Sequence, residues 1–157
     1  MTLTIESPAF GSGQSIPIQY TGEGQNISPP LTWSGVPPTA QELALICDDP
    51  DAPTPEPWVH WVIYKIPASA TGLPENIPPA PSPDTPTGIH QGVNTSGQAG
   101  YMGPMPPPGH GVHRYHFKLY ALDTPLEATA EIDKDALLDM LSNHIVAQAQ
   151  LIGTYQR

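Results

Sequence analysis

The chain has 157 residues, with 5 Lys and Arg against 15 Asp and Glu, and a formal net charge of −10 at pH 7. This balance excludes the basic surface that nucleic acids or anionic membranes require, so any bound anion must be held by local donors. Only 13% of residues are charged, which argues against charge-driven disorder. The 22 prolines limit long helices, and the length suits one domain spanning residues 1–157.

Targeting signals are missing from the sequence. No apolar stretch approaches the ~18 residues of a membrane span, and the first residues lack the basic start and apolar core of a signal peptide. The single cysteine, Cys47, excludes an internal disulfide and lies in an apolar run typical of a buried strand. We therefore expect a cytoplasmic protein without stable membrane insertion.

Short apolar runs predict strands along the chain. Residues 3–5 and 16–20 alternate apolar and polar side chains, whereas 42–48, 58–66 and 113–122 are rich in β-branched, aromatic or other apolar residues. The sequence from residue 22 to residue 38 predicts turns. The proline-rich stretch from 67 to 111 reads as mostly loop, and a connection of that length is usually functional.

One helix is predicted, from Lys134 to Ala149. Asp133 suits the N-cap, and Leu137, Leu141 and Ile145 recur on one helical face. Gly153 follows the predicted helix and is a typical signal that a helix has ended. Because helices that could cross between parallel strands are missing, we predict a mainly β fold: an antiparallel β-sandwich with a C-terminal helix and long proline-rich loops.

Two neighbouring segments carry polar chemistry that core packing does not need. Three acids, Asp48, Asp49 and Asp51, follow a predicted buried strand, where they form either a solvated turn or a carboxylate at the mouth of a pocket. In the next strand, alternation places Trp58, His60 and Val62 on one face, opposite the face of Val59, Trp61 and Ile63. A histidine among apolar residues needs a polar partner, and the acidic turn is close enough to supply one.

A third polar segment runs from residue 103 to 116. His113 and Tyr115 share one strand face, and Arg114 and His116 share the other. The glycines before them allow the backbone to approach a ligand closely, and the prolines stiffen the loop, which lowers the entropy lost on binding.

These segments resemble the phosphatidylethanolamine-binding protein family, and most closely its bacterial and archaeal Raf kinase inhibitor-like branch. The resemblance rests on Asp49-Pro50-Asp51-Ala52-Pro53, on Trp58 with His60, and on the run from Gly103 to His113-Arg114-Tyr115. The segments 27–33 and 153–155 are also similar, so the resemblance covers almost the whole chain. Met105 and Val93 differ from residues common in the branch.

The resemblance implies non-enzymatic binding of a phosphate-containing small molecule or lipid headgroup in a small pocket. It also implies a possible regulatory role on a protein partner such as a kinase or a protease, and a possible homodimer. The implied ligand-binding residues are Asp49, His60, Gly103, Pro106, His113 and Tyr115. The implied supporting residues are Asp51, Pro53, Trp58, Pro107 and Arg114, of which Arg114 either contacts the ligand or pairs with an acid such as Asp51.

Two other functions stay open from the sequence. Asp49, His60 and His113 would be the ligand triad of a metal-assisted hydrolase, although no H-E-x-x-H or comparable spacing occurs. A protease inhibitor would use an exposed loop near residues 74–90. Nucleophilic catalysis is disfavoured, because the sequence has no G-x-S-x-G element. We therefore expect a protein that is not an enzyme and that holds no metal or cofactor.

Overall fold

A computed structural model describes residues 2–127 and 131–157. Eight strands, one α-helix and one short 3-10 helix make up its regular structure. In chain order they are β1 (Thr4–Glu6), the 3-10 helix (Ile18–Tyr20), β2 (Leu31–Ser34), β3 (Glu42–Asp49), β4 (Trp58–Pro67), β5 (Gly72–Leu73), β6 (His90–Gln91), β7 (His113–Leu122), α1 (Lys134–Leu141) and β8 (Ile145–Tyr155).

The strands form two antiparallel sheets. One has three strands in the order β1-β2-β5, and the other has five in the order β6-β4-β3-β7-β8. The long central strands β3, β4 and β7 match the three longest predicted strands, and the bounds of β7 agree with the prediction. The prediction of a mainly β, antiparallel fold with a helix near the C-terminus is therefore confirmed.

Two apolar clusters cover opposite faces of the five-stranded sheet. The larger contains side chains from both sheets, such as Trp33 of β2 with Trp61 and Phe117. In the smaller cluster, Val62 lies with Leu137 and Leu141 of α1. Each fully buried aliphatic or aromatic side chain contributes roughly 1.5–3 kcal/mol, so the two faces hold the strands at a fixed spacing.

The predicted helix is too long. Helix α1 ends at Leu141, Asn143 adopts a left-handed φ of 68°, and the chain then returns as β8 beside β7. Ala147, Ala149 and Leu151 face the larger cluster at every second position. Because two of these three are small alanines, their alternation is a weaker signal than the 3.6-residue spacing. No helix in the described part of the chain is long and apolar enough to cross a membrane.

Two short segments also differ from the sequence prediction. The predicted strand at residues 16–20 is instead a 3-10 turn preceded by Pro17, which donates no backbone hydrogen bond. Strand β2 lies within the segment that was interpreted as turns. It is only four residues long, and Pro29 and Pro30 precede it, so its sequence lacks the length of a typical strand signal.

The buried glutamine Gln91 links the proline-rich segment before β6 to the core. Gln91 accepts a hydrogen bond from Trp61 Nε1 at 2.8 Å. Its amide nitrogen donates to the carbonyl oxygens of Pro78, at 2.8 Å, and of Ala80, at 2.9 Å. Prolines have no backbone N–H group to donate. The Gln91 amide therefore supplies hydrogen-bond donors to the carbonyl groups of this segment.

Candidate functional site

A cleft of about 320 Å³ opens where β3 ends and where β4 and β7 begin. Eight of the eleven predicted site residues line it, and Gly103, Asp51 and Arg114 do not. Its lining is Asp49, Ala52, Pro53, Thr54, Trp58, His60, Met102, Met105, Pro106, Pro107, His113 and Tyr115. Polar groups are thus few and the remaining wall is largely apolar, which is the usual character of a small-molecule site.

Asp49, His113 and His110 form a continuous chain of hydrogen bonds. Asp49 Oδ2 lies 2.6 Å from His113 Nδ1, and both residues are buried. The carboxylate accepts the Nδ1–H and so fixes the orientation of the imidazole. The other ring nitrogen of His113, Nε2, lies 2.6 Å from His110 Nδ1. The sequence suggested the acidic turn as the partner of His60, but Asp49 pairs with His113 and His60 binds the Met102 carbonyl instead. The role of His110 was missed.

His60 is a buried neutral histidine. Its Nδ1–H donates to the carbonyl oxygen of Met102 at 2.5 Å, and the Met102 amide donates back to the His60 carbonyl at 2.9 Å. Burial lowers the pKa of His60, and this effect outweighs the opposing influence of the Met102 carbonyl and of Asp49. The ring therefore keeps a lone pair on Nε2, which has no hydrogen-bond partner among residues 2–127 and 131–157.

A β-bulge places His60 in the cleft. Strand β3 pairs Cys47 with Trp61 and Asp48 with Val59, so His60 is the extra residue between them. Trp58 and His60 both line the cleft, as predicted. The predicted companion Val62 instead joins the smaller cluster beneath α1, because the bulge breaks the alternation of the strand.

Tyr115 closes the polar end of the cleft. Its ring makes an edge contact with His60 at a centroid distance of 5.1 Å and stacks on His113 at 6.5 Å. Burial, followed by the negative charge of Asp49, raises the pKa of Tyr115 far above its usual value. The phenol therefore keeps its proton as a donor, and its oxygen has no partner in the described parts of the chain.

Gly103 lies behind the cleft rather than on its lining. A Cβ at this position would lie 2.5 Å from the Tyr20 carbonyl oxygen and 2.6 Å from Asn26 Oδ1. Its amide already donates to Asn26 Oδ1 at 2.7 Å. Glycine is required here for close packing against the neighbouring backbone, and this amide is not free for a ligand.

Arg114 is paired with Asp51 on the outer face of β7. Asp51 accepts hydrogen bonds from the Arg114 backbone amide at 2.8 Å, and from its Nε and Nη2 at 2.9 Å each. The hydrogen bonds from the Arg114 side chain are the main reason that the pKa of Asp51 falls to about 2. The sequence left two roles open for Arg114, contact with a ligand or pairing with an acid. The structure shows the pairing with Asp51.

Four of the five basic side chains lie in ion pairs with carboxylates: Lys65 with Glu42, Lys118 and Lys134 with Asp48, and Arg114 with Asp51. The fifth, Arg157, donates from Nε to the carbonyl oxygen of Pro106 at 2.6 Å, beside the cleft. It has no carboxylate within ion-pair distance among the residues that the structure describes.

The predicted hydrolase triad does not form a metal site. Asp49 and His113 Nδ1 bind each other, and His60 Nδ1 binds a backbone carbonyl. Within residues 2–127 and 131–157, no three His, Cys, Asp or Glu side chains are grouped so that they could hold a metal ion. The hydrolase interpretation therefore gains no support from the geometry.

Comparison with known proteins identifies the family of the chain. Residues 6–156 match the family model for phosphatidylethanolamine-binding proteins. A UPF0098 protein of Methanothermobacter thermautotrophicus is 50% identical over 155 residues, which are 99% of each chain. The chain belongs to the phosphatidylethanolamine-binding protein family, as its sequence motifs predicted.

Solved structures of family members have the same fold. A homologue from Chlamydia trachomatis, 38% identical, has a TM-score of 0.89 and covers 99% of this chain and 98% of its own. E. coli YbcL is 34% identical and has a TM-score of 0.92. The match covers 100% of this chain and 99% of the YbcL chain. A carboxypeptidase Y inhibitor is only 18% identical with a TM-score of 0.54, which shows the fold alone and lends no support to protease inhibition.

Proposed function

We propose that the cleft binds a phosphate-type anion, either free or as the headgroup of a larger molecule, without catalysing a reaction on it. The observation that carries the proposal is that the Asp49–His113 pair, His60 and Tyr115 lie next to one another in a largely apolar cleft. Donors and acceptors grouped in an apolar wall fix the orientation of a bound molecule.

The polar groups suit a phosphate that still carries one proton. Tyr115 offers an O–H donor, and His113 offers an N–H donor once its ring is protonated beside Asp49. His60 Nε2 is an acceptor, because the other nitrogen donates to Met102 and burial keeps the ring neutral. A phosphate hydroxyl would donate to His60 while its charged oxygens accept from the other two side chains. Such charge-assisted hydrogen bonds are the strong ones.

The size and apolar lining of the cleft favour a ligand that is larger than inorganic phosphate. Trp58, Met102 and Met105 line a volume of about 320 Å³, within the range of small-molecule sites. These side chains would cover the organic part of a phosphate ester. The shared chemistry is a phosphoryl group attached to a short organic chain, whether that chain belongs to a soluble metabolite or a lipid.

Titration of 15N-labelled protein with three ligands tests the proposal. Inorganic phosphate, O-phosphoethanolamine and a short-chain phosphatidylethanolamine share the phosphoryl group and differ in what is attached to it. We expect saturable amide shifts around His60 and Tyr115, with tighter binding of the two esters than of phosphate. A preference between the two esters distinguishes a soluble ligand from a lipid headgroup. Recovery of the esters unchanged supports binding without catalysis.

A matched pair of tyrosine variants makes the test specific. Tyr115→Phe removes one donor from the cleft and should weaken binding about 10- to 100-fold, as expected for one hydrogen bond to a charged oxygen. Tyr120→Phe removes a hydroxyl from the same strand, on a side chain that packs against the cluster beneath α1, and should leave binding unchanged. No saturable shift with any of the three ligands at millimolar concentration would refute the proposed function.

A further inference from the structure

We propose that His110, which is not part of the cleft lining, blocks the Nε2 atom of His113, so that a ligand in the cleft must displace the His110 ring before it can bind this atom. This inference rests on the proposed function and concerns the regulation of the same cleft. His110 Nδ1 lies 2.6 Å from His113 Nε2, and the ring centroids are 4.8 Å apart. The contact occupies the ring nitrogen of His113 that Asp49 leaves available.

Both nitrogens of His113 are therefore taken in the free protein. His113 is only 1% exposed, so its ring cannot turn outward to offer a nitrogen to a ligand. Asp49 holds Nδ1 from within the protein, whereas His110 approaches Nε2 from an exposed loop. Of the two partners, His110 is the one that can leave without uncovering a buried charge.

The backbone around His110 is built so that the ring can move. Gly109 and Gly111 flank it with φ values of 76° and 98°, and a Cβ at either position would meet no atom within 4 Å. The space on the side-chain side of both glycines is therefore open. The loop is fixed just before the ring, where the His110 amide donates to Pro107 and the Gly109 amide donates to Arg157. Movement can be confined to the His110 side chain and to Gly111, which follows it.

Displacement also changes what His113 Nε2 does. Since Nδ1–H is donated to Asp49, a neutral His113 has a lone pair on Nε2 that accepts the Nδ1–H of His110. A phosphate oxygen needs a donor at this atom, so the ring takes a proton from solvent as His110 leaves. The charged or titratable groups around His113 are Asp49 and Asp51 after β3, His60 on β4, Tyr115 on β7, and His110 on the loop.

The test compares the affinity of wild-type protein and the His110→Ala variant for O-phosphoethanolamine by calorimetry. Removing the competing ring should increase affinity about 3- to 10-fold, the amount expected for one hydrogen bond that no longer has to be broken. His144→Ala is the matched control. His144 is also a surface histidine hydrogen-bonded through Nδ1, in this case to Asp123 at 2.9 Å, and it does not line the cleft.

Ring 15N chemical shifts of wild-type protein give a second readout that does not depend on a variant. On saturation, the His110 ring nitrogens should move to the values of a histidine in solvent, and His113 Nε2 should change from acceptor to donor. If His110→Ala binds as tightly as wild type or more weakly, the displacement is refuted while the proposed function stands. If neither protein binds, the proposed function itself fails and this inference falls with it.

Discussion

Asp51 and Arg114 connect the turn after β3 to the start of β7 through three hydrogen bonds. Two come from the guanidinium group and one from the Arg114 backbone amide. The Asp51 amide in turn donates to Asp49 Oδ1 at 2.8 Å. The pair lies outside the cleft, yet it fixes the turn that aims the Asp49 carboxylate at His113. We therefore expect a measurable contribution to stability from a pair that does not line the cleft.

Asp51→Asn should lower the melting temperature by on the order of 2 °C at pH 7, which is modest because the pair is largely exposed to solvent. The hydrogen bonds from Arg114 hold the pKa of Asp51 at about 2, below its usual 3.8. Its stabilisation is therefore complete above pH 4 and is lost as the pH falls from about 4 to 2. Thermal melts at pH 7 and pH 2 should show the difference at pH 7 alone. Asp139→Asn, an exposed acid in α1, is the control, and an equal effect of both substitutions would contradict the prediction.

His60 should make the protein less stable below neutral pH. Because burial lowers the pKa of His60 below the usual 6.5, the unfolded chain takes up a proton before the folded chain does. The neutral buried ring thus contributes its full stability above pH 6.5, and this stability decreases as the pH falls below that value. His60→Gln should flatten the decline in melting temperature between pH 8 and pH 5. Parallel curves for wild type and His60→Gln would show that His60 does not contribute.

Gly103→Ala should destabilise the protein by about 2–3 kcal/mol, as overpacking of a tight site does. The added methyl group would lie 2.5 Å from the Tyr20 carbonyl oxygen and 2.8 Å from Thr21 Cα, which are backbone atoms that cannot turn aside. Gly88→Ala is the informative comparison, because Gly88 has a φ of 89° and open space around it. Its cost should be limited to the backbone strain, about 1 kcal/mol. Urea denaturation gives the free energy of unfolding of both variants. Equal losses of stability in Gly103→Ala and Gly88→Ala would exclude the steric explanation.

Gln91→Leu should destabilise the protein by about 2–4 kcal/mol, because it leaves the Trp61 indole N–H and two backbone carbonyls without partners. The segment before β6 should then open locally before the rest of the protein. Hydrogen exchange measured by mass spectrometry would show faster exchange at residues 77–91. Gln148→Leu, on the exposed part of β8, is the control and should change stability by less than about 0.5 kcal/mol. A small effect of Gln91→Leu would mean that other contacts hold the segment.

The central strands were predictable because their side chains are large and apolar. β3, β4 and β7 form the middle of the sheet, and both of its faces are covered, so their sequences carry a strong signal. The sequence of the edge strand β8 carries only a weak strand signal, since Ala147 and Ala149 are small and favour helices. Its strand conformation is set by pairing with β7, a tertiary contact that no local pattern records.

The candidate site was predictable in part for a similar reason. Alternation along β7 correctly placed His113 and Tyr115 together, and the polar residues after β3 and within β4 singled out Asp49 and His60 before the family resemblance supported them. The position of the His110 ring depends on the left-handed glycines on either side of it and on a contact across a turn. The bulge at His60 depends on how β4 pairs with β3. Neither feature follows from residue type or spacing.

Neutralisation of the basic side chains by neighbouring acids affects how fast an anion can reach the cleft. With four of the five cations already in ion pairs and a net charge of −10, a phosphate approaches against a repulsive long-range field. Dissolved salt screens that repulsion over roughly 10 Å at 0.1 M. Capture of an anion by this protein would therefore become faster as ionic strength rises, the reverse of what basic anion-binding surfaces do.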